Sequence, residues 1–223
     1  MFRKRNVQSL ETEFAGLVFS NPVGHPYTLL KKRFKWLRMA PKAGFLTLTP
    51  PQDDILNWIK GLKGEQPGNS LLAVDIKTDI VRTFSLVYDF ADFIIIDPDS
   101  NVGIDAVDIS DTLELLDELV SLRLCYERYT PMFLRLGLGT SPDELKSLLG
   151  ACQLDGLDGV IVPGLAYLAQ VRDITLGRVP IICPVNTPAD GLQALENGAT
   201  LLELPSCKGL NKLLNTLENK QVV

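Results

Sequence analysis

The sequence predicts an α/β fold, a (β/α)8 TIM barrel preceded by an N-terminal β-hairpin. Three observations predict it. Short β-rich runs alternate with helical segments along the chain. The runs are almost continuously apolar rather than alternating, the pattern of parallel strands covered on both faces. Eight of them fit in 223 residues, close to the lower size limit of a closed barrel, about 200 residues. The competing architecture is an open doubly wound sheet. No G-x-G-x-x-G follows any run, which removes the commonest reason to prefer it. Residues 1–223 read as one domain, with an entry hairpin at about 10–22 and the barrel over 23–223.

The elements follow in order. TEFAGLVFSNP (12–22) reads as a small hairpin turning at Ala15-Gly16 and placed to plug the barrel bottom. NPVG (21–24) is a short first strand. TLLKKRFKWLRMAPK (28–42) reads as a helix, with Leu30, Phe34 and Leu37 on one apolar stripe. The remaining strand runs are 44–50, 70–77, 91–98, 131–137, 158–164, 179–185 and 199–205. Among the helices, 108–128 carries Ile109, Leu113, Leu116 and Val120 at helical spacing, with Asp108 or Ser110 as cap. SPDELKSLLGACQ (141–153) opens on Ser141 at the N-cap, Pro142 at N1 and Glu144 at N3, a capping box. TPADGLQALENGA (187–199) repeats that opening with Thr187 and Pro188, and Gly198 stops it. CKGLNKLLNTLENK (207–220) closes the chain.

Composition excludes several classes. Apolar residues make up 46% and charged residues 22%, as in ordinary globular proteins and unlike disordered or collagenous chains. Cys125, Cys152, Cys183 and Cys207 are far apart, with no C-x-x-C pair, and His25 is the sole histidine. That spacing predicts free thiols and no metal site. The N-terminal segment lacks the apolar stretch of a signal peptide. No apolar run reaches the roughly 20 residues of a membrane span. These readings predict a cytoplasmic protein without a membrane partner. Residues 1–42 hold nine basic and two acidic side chains, whereas the remainder holds 13 basic and 25 acidic ones. With most of the chain acidic, the basic stretch reads as a solvated helix face and not as a nucleic-acid site.

In a barrel of this kind, chemistry gathers at the C-terminal ends of the strands. Those ends supply His25, Thr47, Thr49, Asp75, Lys77, Asp97, Asp99, Ser100, Asn101, Arg135, Asn186, Glu203, Ser206 and Lys208. Lys77 has the right chemistry for a Schiff base if its pKa is lowered. Asp97 and Asp99 stand two apart, on one face of an extended strand. DPDSN (97–101) ends the very apolar FIII run with a proline between two acids, which favours a turn over the barrel mouth. The planar fork of Arg135 suits a small anionic molecule.

Several segments resemble the dihydroorotate dehydrogenase family of flavin-dependent barrels. FAGLVFSNPV resembles that family's entry hairpin with its G-L-x-F-x-N-P-V/I pattern. AGFLTLTP resembles its second strand. ADFIIIDPDSN falls where the family has A-D-x-x-x-x-N-x-S-[C/S]-P-N, and PMFLRL and LDGVIV resemble P-x-x-V-K-L and A-D-G-I. VPIICPVNTPADGLQALENGATLLEL is similar to P-I-I-G-x-G-G-I followed by D-A-x-E-x-x-x-A-G-A.

The resemblance implies FMN, oxidation of dihydroorotate or a related small acid, a role in pyrimidine biosynthesis, and a homodimer. It implies Ser100 as proton acceptor, with Asp97 in place of the family's asparagine and Asp99 beside them. It implies Thr47, Lys77, Arg135, Asn186 and Ser206 around the cofactor, Arg135 standing where the family has a lysine. The family's second-strand lysine falls at Leu48. The glycines that approach the FMN phosphate after the seventh and eighth strands read Val185-Asn186 and Pro205-Ser206, and proline has no N–H to donate. Those replacements predict weak or absent FMN binding. Three readings stay open: a flavin-linked dehydrogenase, a barrel that has lost FMN and serves as a binding or assembly protein, and another barrel enzyme using the rim Asp, Lys and Arg groups.

Overall fold

The structure is a computed structural model, describing residues 10–27, 42–63, 69–98, 109–137, 141–154 and 156–220. The expected basic helix at 28–42 and the DPDSN residues from Asp99 onward lie outside the described residues, Lys42 excepted. Two short strands, β1 (Thr12–Phe14) and β2 (Leu17–Phe19), pair antiparallel. Their turn places both Ala15 and Gly16 at positive φ, 50° and 75°, as a two-residue hairpin requires.

Eight parallel strands close a barrel: β3 (Val23–Tyr27), β4 (Phe45–Leu48), β5 (Leu71–Ile76), β6 (Phe93–Ile96), β7 (Met132–Arg135), β8 (Gly159–Ile161), β9 (Ile181–Pro184) and β10 (Leu201–Glu203). They pair in chain order, and β10 returns to β3. The helices described between and after them are α1 (Ile55–Lys63), α2 (Ile80–Val87), α3 (Ile109–Arg123), α4 (Pro142–Leu154), α5 (Leu165–Thr175), α6 (Pro188–Glu196) and α7 (Cys207–Lys220). Among the described residues no helix is long and apolar enough to cross a membrane.

The strands are apolar on both faces because they serve two cores. Outward residues such as Leu46, Leu48, Ile94, Ile96 and Leu202 pack under the helices. Inward residues Phe45, Ala73, Phe93, Ile95, Phe133, Ile161, Ile182 and Leu201 fill the barrel. Phe14 and Phe19 of the hairpin join that inner core from below. Phe14 meets Phe133 edge-on at 5.1 Å, and Phe19 meets Phe45 and Phe93 at 5.9 Å. Room for these rings comes from small residues opposite them. A Cβ on Gly24 would collide with the Phe45 ring, and one on Gly159 with Phe133.

Asn21 ties the hairpin to the barrel. Its amide donates to Lys42 O at 2.7 Å, and its Oδ1 accepts the Val23 N–H at 3.0 Å. Both expected capping boxes form. Ser141 N–H donates to Glu144 at 2.6 Å while Glu144 N–H donates to Ser141 Oγ at 3.3 Å. Thr187 and Asp190 exchange the same pair of bonds at 3.1 and 3.2 Å.

Candidate functional site

Above the apolar layers, the inward positions turn polar. Thr47 on β4, Asp75 on β5, Asp97 just past β6, Arg135 on β7 and Glu203 on β10 all face the barrel axis, as their registers require. Arg135 lies among the acids. Its Nη2 is 3.2 Å from Asp75 Oδ2 and 3.6 Å from Glu203 Oε2, and its Nε is 3.4 Å from Asp97 Oδ2. Lys77 reaches back from the end of β5 to Asp97 at 2.7 Å and Asp75 at 3.4 Å. Thr47 Oγ1 donates to Glu203 Oε1 at 2.6 Å. The three carboxylates are buried, while the Lys77 and Arg135 side chains keep 34% and 22% of their surface in solvent. The cations therefore form the reachable face of the cluster.

The electrostatics follow from this geometry. Burial pushes Asp75 above the usual carboxylate range, against the opposing pull of Arg135 and Lys77. Its Oδ1 has no hydrogen-bond partner among the described residues, which adds to the cost of the charged form. Burial alone would lower Lys77, but Asp75 and Asp97 outweigh it and hold the ammonium above its ordinary value. The same balance, with Glu203, Asp75 and Asp97 outweighing burial, raises Arg135. A Schiff-base lysine needs the opposite shift, so Lys77 is held as a cation and not as a free amine.

The residues expected around FMN and the substrate fall into four groups. Lys77, Arg135, Asp97 and Thr47 converge in the ion-pair cluster. Leu48, matched to the family's lysine, points outward into the helix-facing core, and its neighbour Thr47 is the one that points inward. Asn186 and Ser206 are exposed at the rim. Ser100 and Asp99 lie outside the described residues. Asp75 and Glu203, which complete the cluster, carried no motif. Their signal was a lone acid near the end of an otherwise apolar strand.

A flavin phosphate does not fit the rim between β9 and β10. The Val185 N–H is used in the barrel, donating to Glu203 O at 2.9 Å. The Thr187 N–H donates to Asp190, and the Gly209 N–H to Ser206 Oγ at 3.1 Å. Each helix start therefore turns backbone donors onto a side chain of its own cap, and Asp190 adds a carboxylate to the lining of this rim. The pocket there holds about 300 Å³ and is lined by Pro26, Pro184, Val185, Asn186, Asp190, Glu203 and Pro205, among others, with no lysine or arginine among its described lining residues.

Three comparisons bear on this barrel. No protein-family model matches the chain, and no curated protein matches it. Among solved structures, 370 chains match. One is the DHODH of Eimeria tenella in complex with ferulenol, at 14% identity and a TM-score of 0.74, covering 99% of this chain and 88% of that one. The chain has a DHODH-like barrel fold. At that identity the match concerns the barrel and its hairpin, and the site must be read from its own residues.

Proposed function

We propose that this chain is a DHODH-like barrel that has given up FMN and redox chemistry and acts as a binding protein for a small acid. The observation that carries the reading is Arg135, held among Asp75, Asp97 and Glu203 in the barrel mouth. Guanidinium and carboxylates pair there and occupy the layer in which a barrel enzyme keeps its reacting groups. The acidic, self-capped rim between β9 and β10 supports the same reading, because it offers a phosphate no cation among its described lining residues.

The small-acid assignment rests on the reachable cations. Lys77 faces solvent at the cluster edge and borders a pocket of about 150 Å³ with Gln52, Thr78 and the Asp79–Arg82 pair. An ammonium held in its charged form is a point charge for a ligand carboxylate. Calorimetry with dihydroorotate as the probe acid tests this, paired with an oxidation assay using an artificial electron acceptor. The expected result is saturable binding without turnover, lost in Lys77→Met. Turnover in the unmodified protein would restore the dehydrogenase reading, and binding that is unchanged in Lys77→Met would remove the small-acid site.

A further inference from the structure

On the outer side of β3, His25 meets the first residue of α7. Its Nδ1 lies 2.9 Å from Leu204 O and its Nε2 lies 3.5 Å from Cys207 Sγ. A carbonyl can only accept, so the Nδ1 position carries the proton and Nε2 presents its lone pair to the thiol. His25 is buried, and the Leu204 bond fixes its ring. Cys207 is exposed. It opens a helix of 14 residues. A nucleophile, a base within reach and a third group orienting the base are the parts of an activated thiol.

We propose that Cys207 and His25 form a nucleophile–base pair, a covalent modification site for small-molecule disulfides. The Cys207 sulfur attacks one sulfur of the disulfide as its proton passes to His25 Nε2. The S–S bond breaks, and the departing thiolate takes that proton from His25. The products are a mixed disulfide on Cys207 and one free small thiol, with no other oxidant consumed. This assignment is independent of the ligand proposed for the barrel mouth, since neither residue belongs to the ion-pair cluster.

The protein carries its own reference. Cys125 is also exposed, and its thiol neighbour is the Ser121 carbonyl at 3.9 Å rather than a base. Cys183 is buried, and burial pushes its thiol up to about 11. The test treats the full chain with cystamine and follows each cysteine by peptide mass spectrometry. Cys207 is expected to react at least about tenfold faster than Cys125. His25→Asn and His25→Gln each keep an N–H for Leu204 O but offer no base, and in whichever is folded the ratio should fall to near one. Equal rates in the unmodified protein would overturn the proposal. A fast Cys207 that is unchanged in the folded His25 variant would overturn it as well.

Discussion

Arg135 Nη2 lies 3.2 Å from Asp75 Oδ2, joining β7 to β5 across the intervening β6. That bond makes the barrel mouth a structural layer. Removing either partner strands the other in a poorly solvated place, and the consequences differ for the two residues.

For Arg135 the consequence is instability. Arg135→Met leaves Asp75, Asp97 and Glu203 facing one another with Lys77 as the one remaining cation of the cluster among the described residues. Breaking a buried ion pair on one side costs about 3–5 kcal/mol. Urea denaturation at pH 7 should show a loss of that size, and Arg135→Lys should recover part of it. A loss below about 1 kcal/mol, the range of a surface pair, would contradict the role.

For Asp75 the consequence is a pH dependence. Its pKa is raised in the folded state, so between the ordinary value of 3.8 and that raised value the folded chain binds a proton that the unfolded chain does not. Stability from this group is therefore gained as pH falls through the raised value and lost as pH rises. Arg135, Lys77, Glu203 and Asp97 all face Asp75. Asp75→Asn should remove this contribution. The stability of the original protein relative to the variant should grow as pH falls through the raised value toward 3.8, measured by denaturation at each pH. A constant difference would refute the raised value.

A second titration lies on the outside of the barrel. Burial, and then the short hydrogen bond that the Tyr129 hydroxyl donates to Asp158, push Tyr129 up to about 12. Arg123 stands over the ring at 4.8 Å and ion-pairs with Asp158 at 3.3 Å. The folded pKa exceeds the unfolded one, so the contribution is complete below pH 10 and disappears between pH 10 and about 12. Phenolate absorbance should show a late step that Tyr129→Phe removes. Uniform ionisation near pH 10 would contradict it.

The barrel was legible in the sequence because burial on both faces leaves apolar runs typical of parallel sheets, and eight of them with no G-x-G-x-x-G favoured a closed barrel over an open doubly wound sheet. The hairpin, both capping boxes and the span 207–220 were equally plain, being set by local chemistry at Ala15-Gly16, Ser141, Thr187 and Cys207. The 108–128 segment was read too long: α3 ends at Arg123, which turns inward to Asp158. The site was only partly legible. Lys77, Asp97 and Arg135 were singled out one by one. Their convergence depends on barrel closure, which brings Glu203 of the last strand within 3.6 Å of Arg135 on the fifth. The match of Leu48 to a cofactor lysine failed for a register reason, since one residue along a strand exchanges the inner face for the outer one.

The most direct measurement of the central claim is an absorbance spectrum of the purified protein combined with an FMN titration. Arg135 sits among three acids in the mouth, and Asp190 and Glu203 line the pocket between β9 and β10, which has no lysine or arginine among its described lining residues. The account predicts a colourless protein and no saturable change in flavin absorbance or fluorescence. A yellow protein, or FMN uptake approaching one per chain, would contradict it.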